Sequence, residues 1–253
     1  MSWNPAQYLK FAGPRMRPGL DLIARIPALP ARRIVDLGCG AGGLTALLAD
    51  RWPEAETVGI DSSPEMLATA RNDHPALDWR RDDIRTWRPD RRPDLIYSNA
   101  ALHWTPDHAR LFPRLVEALA PGGALAIQMP RNFHSPSHRL VAGIAGGRRW
   151  SRPIDLSDKA VLDPAAYYDI LSGVTASLDI WETEYLHMLE GERPVLEWTR
   201  STTLRPVFDA LEGDELSAFL AEYARGLDAA YPKRADGRTL FTFRRLFLLA
   251  RRD

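Results

Sequence analysis

Gly38, Gly40, Gly42 and Gly43 fall within six positions, behind the apolar run Arg33-Ile34-Val35-Asp36-Leu37 and ahead of a helical pattern. That order describes a buried strand running into a tight turn that opens a helix, a common seat for a nucleotide-like ligand in an open α/β sheet. Glycines let the backbone turn sharply and approach a ligand without Cβ atoms in the way. The unpaired N–H groups of the helix start then face whatever is bound. The spacing satisfies both G-x-G-x-x-G and G-x-G-x-G, so it does not by itself choose the ligand.

Asp36 tips the choice. A carboxylate beside the turn repels a pyrophosphate but suits the ammonium of a methionine moiety, and S-adenosyl-L-methionine carries an ammonium and a sulfonium with no phosphate. Further acids follow at the ends of the next strands. Asp61, with Ser62 beside it, lies about twenty residues beyond the turn, where a carboxylate accepts from both ribose hydroxyls. Asp83 and the N–H of Ile84 have the chemistry to read an adenine edge. Asn99 closes a fourth strand, so Asn99-Ala-Ala-Leu-His103-Trp104 is the expected methyl-transfer face. His103 has the residue type of a general base, although packing is the commoner role for a single His. No His, Cys or carboxylate spacing indicates a metal, and there is no G-x-S-x-G nucleophile elbow.

These residues need a scaffold, and the chain alternates strand and helix patterns from 32 to 130. Strands are expected at Arg33–Leu37, Thr57–Ile60, Leu77–Arg80, Pro93–Asn99 and Ala124–Met129. Ser62-Ser-Pro-Glu65 reads as a helix start with Ser62 three positions before Glu65, and Thr105-Pro-Asp107 as another. Two long late strands, Ala176–Leu189 and Thr239–Ala250, enclose a helical stretch at 194–231. The expected fold is α/β: a Rossmann-like, mostly parallel seven-stranded sheet with a terminal antiparallel strand pair. The expected organisation is one domain over 1–253, with an N-terminal cover at 1–30, a core at 31–130, and lid insertions at about 131–170 and 190–236.

The 253 residues carry 33 basic and 33 acidic side chains, so nothing in the charge points to nucleic acid or a membrane as partner. Lys occurs only at Lys10, Lys159 and Lys233, and the many Arg are not individually informative. Cys39, the single cysteine, sits inside the glycine turn and reads as packing; it excludes an internal disulfide, which suits a reducing compartment. With no apolar stretch of membrane-spanning length, the expectation is a cytoplasmic monomer acting on a small molecule.

Val35-Asp-Leu-Gly-Cys-Gly-Ala-Gly-Gly43, Gly59-Ile-Asp-Ser-Ser-Pro-Glu-Met66, Arg81-Asp-Asp-Ile84, Asp94-Leu-Ile-Tyr-Ser-Asn99 and Leu119-Ala-Pro-Gly-Gly-Ala-Leu125 together resemble the successive motifs of class I S-adenosylmethionine-dependent methyltransferases. Outside that core the chain is similar to the trans-aconitate 2-methyltransferases. The resemblance rests on Trp3-Asn-Pro5 with Tyr8, Arg15-Met-Arg17-Pro18, Gln128-Met-Pro130 with Asn132, Tyr167-Tyr-Asp-Ile-Leu171, Asp179-Ile-Trp181, Leu204-Arg-Pro206 and Arg245-Leu-Phe247. It implies methylation of one carboxylate of trans-aconitate, giving the monomethyl ester and S-adenosylhomocysteine. The segment 136–160 departs from the pattern at Gly143, Gly146-Gly147 and Arg149-Trp150. A carboxylate is ionised at pH 7, so orientation rather than a base is the main requirement, and Arg is suited to bidentate carboxylate recognition. Arg15, Arg17 and Arg205, with Tyr8, Trp104 and Tyr168, are the expected acceptor contacts; Arg15 equally suits the cofactor carboxylate. Arg245 ranks below them, because a strand position can face away. Methyl transfer to another small-molecule acid or metabolite is the alternative within enzymes of this kind; an NAD-dependent oxidoreductase and a non-catalytic cofactor-binding module are the alternatives from other classes, and Asp36 and the terminal strand pair argue against the first.

Overall fold

The computed structural model describes residues 12–147, 149–156, 161–200 and 202–253. Helix α1 (Ala12–Arg25) precedes β1 (Arg33–Leu37), α2 (Gly43–Arg51), β2 (Glu56–Asp61), α3 (Pro64–Asp73), β3 (Asp78–Arg81) and β4 (Leu95–Asn99). A single 3-10 turn at Leu102–Trp104 leads to α4 (His108–Ala118) and β5 (Ala124–Pro130). Then come α5 (Pro136–Ala145), α6 (Pro164–Leu171), β6 (Ser177–Leu189), α7 (Pro194–Arg200), α8 (Arg205–Ala210), α9 (Gly213–Ala230) and β7 (Thr239–Arg251).

The seven strands form one sheet in the order β3-β2-β1-β4-β5-β7-β6. Strands β1 to β5 pair in parallel, and β7 runs antiparallel to β5. All five residues of β1 are buried, as expected of a central parallel strand covered on both faces. The strand order reverses between β1 and β4. Ligands bind at such a switch point, outside the carboxyl ends of the strands. The glycine turn after β1 and the segment after Asn99 are the two loops that flank it.

Contacts divide the chain into two compact units. Among the described residues, one holds 15–130, 161–183 and 245–253; the other holds 12–14, 131–147, 149–156, 184–200 and 202–244. The first contains the parallel strands and the loops at the carboxyl ends of β1 to β4. The second packs α5 and α7–α9 with the remaining parts of β6 and β7 around Trp198, Phe219, Tyr223, Phe241 and Phe243. The segment 161–183, read from sequence as lid and late strand, groups with the sheet.

Two local readings are corrected. The cap of α3 is Ser63, whose hydroxyl accepts from the Met66 N–H at 3.2 Å and donates to Glu65, while Ser62 is exposed. The stretch 194–231 is three helices rather than one. Pro206 stands in the first turn of α8, a position it tolerates only near a helix start, and Gly213 opens α9 at φ 56 after extended Leu211 and Glu212.

Candidate active site

The glycine turn is tied to β2 by its first two N–H groups, since Gly38 and Cys39 both donate to the Ile60 carbonyl, at 2.7 and 3.0 Å. Gly38 has φ 81, and a Cβ there would lie 2.1 Å from the Ala101 methyl, so glycine is what lets the segment after β4 close on the turn. Gly40 has φ 57 and open space where its side chain would stand. Asp61 clamps the turn from the end of β2: one carboxylate oxygen accepts from Gly40 N–H and the other from Ser63 N–H, each at 2.9 Å. The Ile84 side chain reaches the same turn, 3.5 Å from the position of a Gly38 Cβ.

Asp36 lies beneath the turn and is 2% exposed. Its carboxyl accepts from the Thr45 hydroxyl of α2 at 2.6 Å. Burial pushes its pKa from 3.8 up to about 7; the Thr45 bond opposes the rise and the nearby Asp61 charge adds to it. Cys39 is buried with its thiol pKa pushed up by desolvation, so it is no thiolate nucleophile. Asp83 is turned into a local ion pair. Its two oxygens accept from the Arg85 guanidinium at 2.5 to 3.0 Å, which holds the carboxyl below its ordinary pKa.

Beyond β4 the backbone passes through Ala100 at φ 53, a conformation that a non-glycine residue rarely takes. Oδ1 of Asn99 and Nδ1 of His103 are buried and make no hydrogen bond. Desolvation first, then the positive field of Arg245, lowers the His103 pKa from 6.5 to about 3. The ring is therefore neutral at pH 7. Trp104 and Tyr168 are exposed at 55% and 58%, and Arg17 is exposed on α1. Arg205, exposed at the start of α8, belongs to the other unit. Tyr8 and the side chain of Arg15 lie outside the described residues.

Residues 34–123 match the family model described as a methyltransferase domain. The trans-aconitate 2-methyltransferase of Streptomyces coelicolor is 50% identical over 99% of this chain and 87% of its own length. Those of Methylobacterium radiotolerans and Variovorax paradoxus are each 47% identical, and cover 98% and 99% of their own lengths. The chain belongs to the trans-aconitate 2-methyltransferase family. Among solved structures, an S-adenosylmethionine-dependent methyltransferase from Mesorhizobium loti is 26% identical with a TM-score of 0.52, over 96% of this chain and all of that one. Phosphoethanolamine N-methyltransferase 2 from Haemonchus contortus, solved with S-adenosyl-L-methionine, has a TM-score of 0.56 at 17% identity. It is matched over 98% of this chain and 56% of its own, and shows the shared fold.

The cofactor that this family implies fits the chemistry present. The open space at Gly40 leaves room beside the turn. Asp61 and Asp36 supply two carboxyl groups next to it, and no cationic side chain pairs with either among the described contacts. Ile84 adds an apolar wall.

Arg245 is 5% exposed and pairs with Pro130 across β7 and β5. Paired residues of neighbouring strands share a face of the sheet, as do residues two apart. Arg245, Phe247, Gln128 and Asn99 therefore lie on one face at the carboxyl edge of β4 and β5. Gln128, part of the Gln128-Met-Pro130 motif, is a buried polar residue inside an otherwise apolar strand, Ala124–Pro130.

Proposed function

We propose that this protein transfers a methyl group from S-adenosyl-L-methionine to one carboxylate of trans-aconitate, giving the monomethyl ester and S-adenosylhomocysteine. The observation that carries the reading is the character of the face after β4. It offers a buried guanidinium, Arg245, and neutral polar groups, with a His whose pKa of about 3 removes it as a base. Such a face suits an acceptor that is an anion before it arrives. Full-length relationship to proteins of that name supports the same acceptor.

In this reading Asp61 holds the ribose hydroxyls while bracing the turn, and Gly38 and Gly40 give the backbone access. Asp36 faces the methionine ammonium. Ile84 and Asp83 border the adenine, Asp83 exchanging its Arg85 pairing for the exocyclic amine. Ser62 and Asn99 complete the cofactor side. Once bound, the cofactor supplies an electrophilic methyl group on a sulfonium. The chain's own task is to fix an acceptor oxygen in line and exclude water, which is catalysis by orientation. No proton leaves the acceptor, so no residue has to accept one. Arg17, Trp104 and Tyr168, all in the sheet unit, are the acceptor contacts carried forward from the sequence. The reading extends to a cytoplasmic monomer whose partner is a small molecule rather than nucleic acid or membrane, supported by its balanced charge.

The test is incubation with methyl-labelled S-adenosyl-L-methionine and, separately, trans-aconitate, cis-aconitate, isocitrate and citrate. The expected result is base-labile label on trans-aconitate, with kcat free of a limb near pH 6.5 from His103. Label on none of the four acids refutes the acceptor assignment.

A further inference from the structure

Two non-glycine residues among those described have left-handed backbone, Ala100 at φ 53 and Asp107 at φ 57, and they bracket the segment that follows β4. Such residues cost on the order of 1–3 kcal/mol each and persist only where their surroundings hold them. One end of the segment is held by the sheet and the glycine turn. Ala100 N–H donates to the Gln128 carbonyl at 2.9 Å, and the Ala101 methyl fills the space that a Gly38 Cβ would need. The middle is held at one atom. The carbonyl of buried Leu102 accepts from Thr105 N–H at 2.9 Å, from the Thr105 hydroxyl at 2.6 Å and from His108 Nε2 at 2.9 Å.

A carbonyl only accepts, so His108 Nε2 carries a proton. Burial holds the His108 pKa below its ordinary value, so the ring is neutral at pH 7 and its Nδ1 is an acceptor. It takes the Tyr167 hydroxyl at 2.6 Å, and the hydroxyl oxygen in turn accepts from Leu162 N–H at 3.1 Å. The direction of every bond from Leu162 to Leu102 is thereby fixed. Both rings are buried, and Phe112 stacks on each of them, with centroids 4.7 Å from His108 and 5.1 Å from Tyr167. Securing the start of α4 does not require bonds that run this far. One reaches the 3-10 turn that carries Trp104, and the other reaches α6, which carries Tyr168. Trp104 and Tyr168 are the acceptor contacts proposed above, and Ala101, one residue before Leu102, touches the cofactor turn.

We propose that His108 is a positioning residue for methyl transfer. Its Nε2–H holds the Leu102 carbonyl, and through it the segment Ala101–Trp104, between the cofactor turn and the acceptor, while Tyr167 orients the imidazole. His108 acts through the backbone it holds and exchanges no proton in the reaction. The inference rests on the acceptor reading above and adds what fixes the acceptor oxygen relative to the methyl group.

Asn and Gln at position 108 separate the two bonds. The amide of Asn reaches the place of Nδ1 and that of Gln the place of Nε2. His108→Asn therefore keeps a partner for Tyr167 and releases Leu102, and His108→Gln does the reverse. The readouts are the single-turnover rate of methyl transfer at saturating trans-aconitate, S-adenosylhomocysteine affinity by calorimetry, and Tm, with rates taken where every variant is folded. Misplacing reacting groups by 1 Å costs up to about a hundredfold, so His108→Asn should slow transfer by about tenfold or more. Its S-adenosylhomocysteine affinity should stay within about twofold, and His108→Gln should restore transfer to within about threefold of wild type. A merely structural histidine would lower Tm in both variants and leave both rates alone. A rate for His108→Asn within about threefold of wild type, or a His108→Gln as slow as His108→Asn, overturns the positioning role. If His108→Asn does not bind S-adenosylhomocysteine, Thr105→Val carries the test, because it removes the 2.6 Å bond to the same carbonyl and keeps the side chain's shape. It should slow transfer by about threefold or more, and an unaltered rate overturns the proposal. Wild-type protein that labels none of the four acids brings down the acceptor reading and this inference with it. Wild-type turnover with an unaltered His108→Asn brings down the inference alone.

Discussion

Asp36→Asn should stabilise the protein and cripple its cofactor site, and the size of the first effect depends on pH. In the unfolded chain this carboxyl ionises above 3.8; in the fold, burial raises that point to about 7. Between those values the folded state holds a proton that the unfolded state has lost, so stability falls as pH rises through the window. The penalty is complete above pH 7. At pH 8 it amounts to about 4 kcal/mol and at pH 5 to about 2 kcal/mol, from 1.36 kcal/mol per pKa unit. Asn has the same shape, keeps an oxygen to accept the Thr45 hydroxyl bond of 2.6 Å, and does not titrate. The variant should therefore melt higher than wild type at both pH values, with the gap about 2 kcal/mol wider at pH 8. For a chain of this size that is roughly 4–8 °C of extra separation. Comparing the two proteins at each pH cancels other titrating groups, among them His103, whose lowered pKa acts in the opposite direction. The assay is thermal unfolding of both proteins without ligand, at pH 5 and pH 8. S-adenosylmethionine calorimetry at pH 8 should show at least tenfold weaker binding by the variant, for want of a carboxylate to face the ammonium. A gap that is constant with pH, or a wild type that melts higher at pH 8, refutes the buried-carboxyl argument.

Asp61→Ala leaves the Gly40 and Ser63 N–H groups without their acceptor; bonds to a charged acceptor are worth about 1.5–3 kcal/mol each, so S-adenosylhomocysteine should bind at least tenfold more weakly by calorimetry. An unaltered Kd would remove Asp61 from the site. Tyr167→Phe deletes a hydroxyl that bonds His108 Nδ1 at 2.6 Å and accepts from Leu162 N–H at 3.1 Å, while the ring can keep its stacking on Phe112. It should cost about 2 kcal/mol, a fall of roughly 4–8 °C in Tm, and a Tm within a degree of wild type would show the bond to be dispensable.

The parallel core was legible because its strands are short, contiguous and apolar, and because the turn chemistry around Gly38–Gly43 is local. The acids at Asp36 and Asp61 could be placed for the same reason: each stands in the last two positions of a recognisable strand. Local ambiguity produced the small errors. Two adjacent serines compete for one cap, and only backbone geometry decides for Ser63. A run of apolar residues at helical spacing conceals the breaks at Pro206 and Gly213.

By itself the sequence determined the α/β scaffold, the glycine turn and the cofactor chemistry beside it, since these depend on residues near one another in the chain. Tertiary structure decided what depends on register and burial. Pairing of β4, β5 and β7 sets Asn99, Gln128 and Arg245 on one face although they are far apart in the chain. Desolvation holds Asp36 near neutrality and strips His103 of its basicity. Neither register nor dielectric is written in residue type or spacing; both arise only when distant segments close on each other and exclude water.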